Sequence, residues 1–295
     1  MLRHLSAIHV PFRLKRPFRI SRGIKSVSDT IFVEIRDGND IGRGESVPYA
    51  RYNETIDGVL AQIDSARGEI EAGADRERLL EIMPPGAARN AIDCALWDLE
   101  AKQTGLSVTE RIGWEKLKPV STAITVSLDI PENMAAAAQQ LKDVPLLKIK
   151  VDASNPIDAV RAVRAVAPNP RIIVDPNESW SIEQLALWQQ QLVDLRVDLL
   201  EQPLPAENDA ELEGFEALIP LAADESGHVA DDREGLGLMV GCMVSSSLSI
   251  APAMVIAQRC AFVDLDGPTW LMDDLKNGVI ENCGTMTPPA PGFWG

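Results

Sequence analysis

The stretch "LLKIKVDASNPIDAVRAVRAVAPNPRIIVDPN", residues 146–177, decides the fold. Two short apolar runs, "LLKIKVD" and "RIIVDPN", read as buried strands. Between them "NPIDAVRAVRAVA" has a helical rhythm. Strand, helix, strand is the unit that makes its two strands parallel. The rhythm continues outward on both sides: "VSTAITVSL" (120–128) precedes it. "VDLLEQP" (197–203), "IPLAADES" (219–226), "LGLMVGCMV" (236–244) and "FVDLDGP" (262–268) follow, with the helix-like "SIEQLALWQQQLV" (181–193) among them. So many repeats predict a βα barrel over residues 116–268.

The flanks differ. Residues 1 to about 50 alternate apolar and polar, as in "DTIFVEIRD", with Gly23, Gly38, Gly42 and Gly44 as punctuation, which predicts an antiparallel meander. "ARNAIDCALWDLEAKQTG" then puts Ala91, Ala95, Leu96 and Leu99 on one helical stripe, closed by Gly105. Residues 1–115 are thus expected to form an α+β unit, joined by the tail 269–295 folding back. The net charge of −16 argues against nucleic-acid or anionic-membrane partners. The four cysteines form no CxxC pair and no segment approaches a membrane span, so a cytoplasmic protein is the expectation. With three histidines, two of them near the start, a histidine triad or zinc site has little to build from. A homo-oligomer is left open.

The charges on the strands carry the chemistry. Side chains two apart share a face. In "LLKIKVD" that pairs Lys148 with Lys150, inward if Leu147, Ile149 and Val151 pack on the helices. The next three strands end in Asp175, Glu201 and Asp224, spaced 25, 26 and 23 residues along from Lys150. Barrel active sites lie at the C-terminal strand ends, so three carboxylates would converge there. One such acid alone reads as a helix cap; the ordered set reads as a metal site. Oxygen-only ligands select Mg²⁺ or Mn²⁺. The ion would bind a substrate carboxylate, a lysine would remove the adjacent α-proton, and the ion would stabilise the enolate. Lys148 beside Lys150 would make the latter a usable base near neutral pH by like-charge proximity.

"KIK", "VDPNESW", "EQP" and "ADES", in this order, resemble the enolase superfamily in its muconate-lactonizing-enzyme-like branch. "MVGCMVSSSLSIAPA" and "FVDLDGP" look like its dipeptide epimerases, which interconvert L-Ala-D-Glu and L-Ala-L-Glu. The resemblance implies a modified TIM barrel with an N-terminal capping domain and one Mg²⁺ per chain. It implies Lys150 as base with Lys148 its neighbour, and Asp175, Glu201 and Asp224 as metal ligands. By the same resemblance Asp264 and Asp266 hold the substrate ammonium, Cys242 and Met243 sit on the substrate loop, and Arg22 in "FRISRG" is a candidate for a distal carboxylate. Asn177 follows the first ligand as a supporting hydrogen-bonding group.

One part of the family pattern is missing. Its epimerases carry a second lysine on the strand after "DES", facing the opposite side of the substrate. Only 11 residues separate Ser226 from Leu238, none a lysine, and the next lysine after Lys150 is Lys276. Seven barrel strands are counted where the family has eight. The expectation is a dipeptide epimerase impaired by the absence of its second-base strand, through either an internal deletion or an incomplete sequence between Ser226 and Leu238. The alternatives are a one-base cycloisomerase or lyase of the same superfamily, or an inactive metal-binding paralogue.

Overall fold

Alternation at the start of the chain does produce a meander. In the computed structural model, which describes residues 3–227 and 237–295, β1 (His4–Ile20), β2 (Gly23–Asp37) and β3 (Asp40–Ser46) pair antiparallel in that order. Three helices follow, α1 (Ile56–Glu71), α2 (Arg76–Ile82) and α3 (Ala87–Thr104). The stripe on α3 faces the sheet, where Ala91, Ala95, Leu96 and Leu99 share a core with Ile31, Val33 and Ile35. Gly105 ends α3 at φ 68°, a left-handed cap suited to glycine. Gly42 and Gly44 let α3 lie directly on β3, because a Cβ at either would fall 2.0 or 2.1 Å from a carbonyl oxygen of Ala95 or Ala91.

Helix α4 (Val108–Arg111) and strand β4 (Val120–Ser121) lead into the barrel. Its elements are β5 (Ile124–Val126), α5 (Pro131–Gln139), β6 (Leu146–Lys150), α6 (Pro156–Val166), β7 (Arg171–Asp175), α7 (Ile182–Asp194), β8 (Leu199–Glu201) and β9 (Leu221–Ala222). After residues 228–236 come β10 (Met239–Val240), α8 (Ser247–Ala257) and β11 (Phe262–Val263). Strands β5 to β9 form one parallel sheet in sequence order, and β10 pairs parallel with β11. Ala123 N donates to Val263 O at 2.7 Å, which joins β11 to the start of β5. Among the described residues no ladder links β9 to β10. The segment in which the second-base strand was sought, between Ser226 and Leu238, lies mostly outside the described residues.

The tail ends against the first unit. β12 (Ile280–Asn282) and β13 (Thr285–Thr287) make a sheet with β4. Beyond them Trp294 Nε1 donates to Cys94 O at 3.0 Å and Gly295 N to Asp98 Oδ1 at 2.9 Å, both on α3. No helix among the described residues is long and apolar enough to cross a membrane.

Candidate active site

Period two on the barrel strands sorts the side chains as the sequence predicts. Leu147 and Ile149 join the core under the outer helices with Val160, Val174 and Leu200. Their inward neighbours are of two kinds. Leu146, Ile173 and Leu199 make an apolar floor with Ala123. Toward the strand ends the inward side chains turn polar, Lys148 level with Ile173 and then Lys150, Asp175 and Glu201, all buried. Lys150 and Asp175 are register partners across β6 and β7. Above them a cavity of about 890 Å³ lies between the strand ends and the β1–β2 hairpin. Lys148, Lys150, Asn177, Glu201, Asp224, Asp264, Asp266, Cys242, Met243 and Arg22 all line it.

Asp175 is the exception. It is fully buried behind Lys150, which donates to its Oδ2, and Lys148 Nζ lies 3.1 Å from the same oxygen. Lys148 also donates to Glu201 Oε1 at 2.7 Å and Asp264 Oδ2 at 2.8 Å. Burial works against its charge, but the fields of Asp264, Glu201 and Asp175 outweigh it and raise the Lys148 pKa well above the ordinary lysine range. Its charge is therefore matched by three acids. Asp175 is pulled down by the two lysines in spite of burial. Glu201 is pushed up, first by burial and then by repulsion from Asp175.

Oxygen is the only donor type among the candidate metal ligands, which suits a small hard cation. Two buried acceptors beside them, Glu201 Oε2 and Asn177 Oδ1, have no partner. Asp224 is exposed at the cavity mouth, yet near enough to Asp175 and Glu201 that the acids repel one another. As the side chains are placed, no three acidic, His or Cys groups among the described residues close on a common point. The reason is visible in the pairing: Asp175 and Glu201 turn toward the lysines, while Asp224 stays apart. The donors fit such an ion by chemistry, and side-chain rotation is needed to bring them together.

The opposite wall carries the two acids of "DLDGP". Asp266 Oδ2 accepts from Thr125 N at 2.7 Å and Trp270 Nε1 at 3.3 Å. Asp264 Oδ1 is buried with no partner, so Asp264 keeps a free acceptor. Cys242 stays a neutral thiol, pushed up by burial and by both acids. Arg22 lines the cavity too, but not as a free cation. Its guanidinium is already engaged by the Tyr49 hydroxyl, Asn177 O, Glu178 and Glu225. The cation left over on this wall is Lys25, which the sequence pattern did not single out. It is exposed, its ammonium lies 5.6 Å from the Tyr49 ring centre, and it makes no ion pair among the described residues. Only its position on the cavity rim distinguishes it, and no local motif marks it.

Comparison with known proteins agrees with this architecture. Residues 3–113 match the mandelate racemase/muconate lactonizing enzyme N-terminal domain, and residues 133–261 match the enolase C-terminal domain-like family. The chain is 38% identical to the L-Ala-D/L-Glu epimerase of Escherichia coli (strain K12), covering 97% of this chain and 99% of that one. That alignment runs over 319 positions, more than the 295 residues of this chain, so it contains gaps on this side. A solved enolase family member from Agrobacterium tumefaciens, described as homologous to dipeptide epimerases with bound sodium and L-Ala-L-Glu, superposes with a TM-score of 0.96 at 39% identity, covering 99% of this chain and all of that one. A dipeptide epimerase from Methylococcus capsulatus, complexed with Mg and L-Arg-D-Lys, superposes at 0.86 with 26% identity over 100% of this chain and 99% of that one. The chain belongs to the mandelate racemase/muconate lactonizing enzyme family of the enolase superfamily, as an isomerase-type enzyme whose parallel sheet and capping domain follow the TIM-barrel plan of its relatives.

Proposed function

We propose that this protein moves the α-proton of L-Ala-D/L-Glu-type dipeptides in the presence of Mg²⁺, and that it works from one face of the substrate. One observation carries the reading: Lys150 and Lys148 meet the cavity between an acceptor-rich wall, Glu201 and Asp224, and the free oxygen of Asp264. Lys150 is the base. Lys148 remains cationic beside the charge that develops. Asp175, Glu201 and Asp224 would hold the ion, and Asn177 orients Asp175 through two hydrogen bonds. A bound Mg²⁺ would offset the negative charge on the substrate carboxylate as the proton leaves. Asp264 accepts from the substrate ammonium, and Lys25 meets the distal carboxylate.

The one-faced character comes from the lysine inventory. No lysine occurs between Lys150 and Lys276, and those lining the cavity are Lys25, Lys148 and Lys150. We attribute this to a missing strand–helix unit between Ser226 and Leu238. The 11 residues between Ser226 and Leu238, with no lysine among them, and an alignment of 319 positions against 295 residues support that reading. The division into a capping unit (1–115, with 269–295) and a barrel (116–268), and a reducing cytoplasm that leaves all four cysteines free, belong to the same proposal.

The test is incubation of L-Ala-L-Glu and L-Ala-D-Glu with the protein and Mg²⁺ in D₂O. The α-position of the glutamyl residue should take up deuterium in one epimer without inversion. Inversion at the rate of exchange would show an acid on the opposite face. A complete lack of exchange in both epimers would overturn the reading. A one-base elimination or cycloisomerisation is the second reading, favoured by the same lysine inventory. It predicts turnover of an acid bearing a leaving group, and the free Asp264 oxygen, suited to an ammonium, counts against it.

A further inference from the structure

Glu178 lies just past the candidate site, three residues beyond Asp175, and the chemistry above does not use it. Its carboxylate is almost wholly buried and fully bonded. Oε1 accepts from Arg51 Nη2 at 2.7 Å and from Ala206 N at 3.0 Å. Oε2 accepts from Arg51 Nε at 2.7 Å and from Arg22 Nη1 at 2.9 Å. Arg51 thus meets it in the two-pronged geometry that makes guanidinium–carboxylate pairs strong and directional. The two arginines come from separate capping segments: Arg22 from the β1–β2 hairpin, Arg51 from the turn after β3. Both segments line the cavity. The two cations also pull Glu178 below the ordinary carboxylate range, although burial opposes them.

The backbone beneath is strained. Asn177 and Glu178 sit at φ 48° and 65°, left-handed values that non-glycine residues rarely adopt in succession. The strain has a consequence in each direction. Asn177 turns back, its N and Nδ2 donating to Asp175 at 2.8 and 3.2 Å, and its carbonyl accepts from Arg22 and from Ser21 Oγ. Glu178 turns out toward the cap. Two adjacent residues therefore bind the capping loops on one side and Asp175 on the other.

We propose that Glu178 is a positioning residue that latches both capping segments, through Arg22 and Arg51, onto the strand end that carries Asp175. The latch holds the cavity roof shut and keeps Lys25 over the substrate position. Its effect on dipeptide binding rests on the function proposed above; its effect on the roof does not.

Limited trypsin digestion tests the roof directly, with cleavage after Arg22 and Lys25 mapped by mass spectrometry. Glu178→Gln keeps the shape and removes the one charge that the two arginines share, leaving Arg22 its Glu225 and Arg51 its Glu207. Those two bonds should be cut about tenfold faster in the variant, because cleavage follows the population of the open form, while cleavage at sites far from the cap stays unchanged. Arg51→Met, which leaves Glu178 its Arg22 and Ala206 partners, should give a smaller rise at the same bonds, and it carries the test if Glu178→Gln fails to fold. Unchanged cleavage at those bonds in either folded variant overturns the latch. A parallel titration with L-Ala-L-Glu and Mg²⁺ should show weaker binding in both variants. Failure of the unsubstituted protein to bind the dipeptide would count against the proposed function, and the digestion would still decide the latch.

Discussion

Glu45 offers a quantitative test of how the capping unit grips the barrel. Its carboxylate, at the end of β3, is completely buried against the N-terminus of α8. It accepts from Ser246 N at 3.1 Å, Ser249 N at 3.1 Å and the Ser246 hydroxyl. Burial dominates over these donors, Asp274 adds repulsion, and the carboxyl is pushed up from 4.5 to about 7. The unfolded chain releases this proton near the lower value, whereas the folded chain keeps it to the upper one. Between them the folded state binds more protons, so stability falls as pH rises and levels off above about 7. A tenfold difference in proton affinity between the two states is worth about 1.4 kcal/mol, so this group alone accounts for a loss of about 3 kcal/mol. Glu45→Gln removes the titration. Its amide NH₂ meets donors and costs about 1–3 kcal/mol, at every pH alike. Urea melts of both proteins at several pH values from 5 to 8 would isolate the effect. The stability of the variant relative to the parent should improve by about 2–3 kcal/mol across that range. A flat difference curve would refute the argument that burial outweighs the helix N-terminus at this carboxylate.

Two further outcomes follow from the cavity. Lys25→Met should raise KM for a glutamyl dipeptide by about 10- to 100-fold, the worth of a charge-assisted hydrogen bond, with little change for a dipeptide whose second side chain is apolar; steady-state or exchange kinetics on the two substrates check this. Mg²⁺ should raise the melting temperature by linkage, and Asp224→Asn should abolish the rise, as read by calorimetry with and without the ion.

Much of the site was legible because it obeys strand periodicity. Lys148 and Lys150 had to share a face, and Leu147 and Ile149 had to take the other, once β6 was recognised as a strand. The α3 stripe and its Gly105 cap were legible for the same reason, since helical spacing and a left-handed cap are local properties. Pairings between remote segments were not. Arg22 was a candidate for a distal carboxylate because "FRISRG" resembles the family's capping loop, and nothing local marks the acids that engage it. Its acids, Glu178 and Glu225, lie 156 and 203 residues away. Lys25 emerged as a cavity cation without an ion pair among the described residues only when that competition was visible.

The sequence by itself determined the βα repeat, the inward lysines, the acids at successive strand ends and the lack of a lysine between Lys150 and Lys276. All of these depend on which residues stand where along a strand, or on plain counting. The tertiary structure alone decided that Asp175 lies behind Lys150, that Lys148 is matched by three acids, and that Arg22 pairs with Glu178 and Glu225. Each of those is a contest among charges brought together from distant parts of the chain, and in a buried site with little water to screen them, the nearest partner wins.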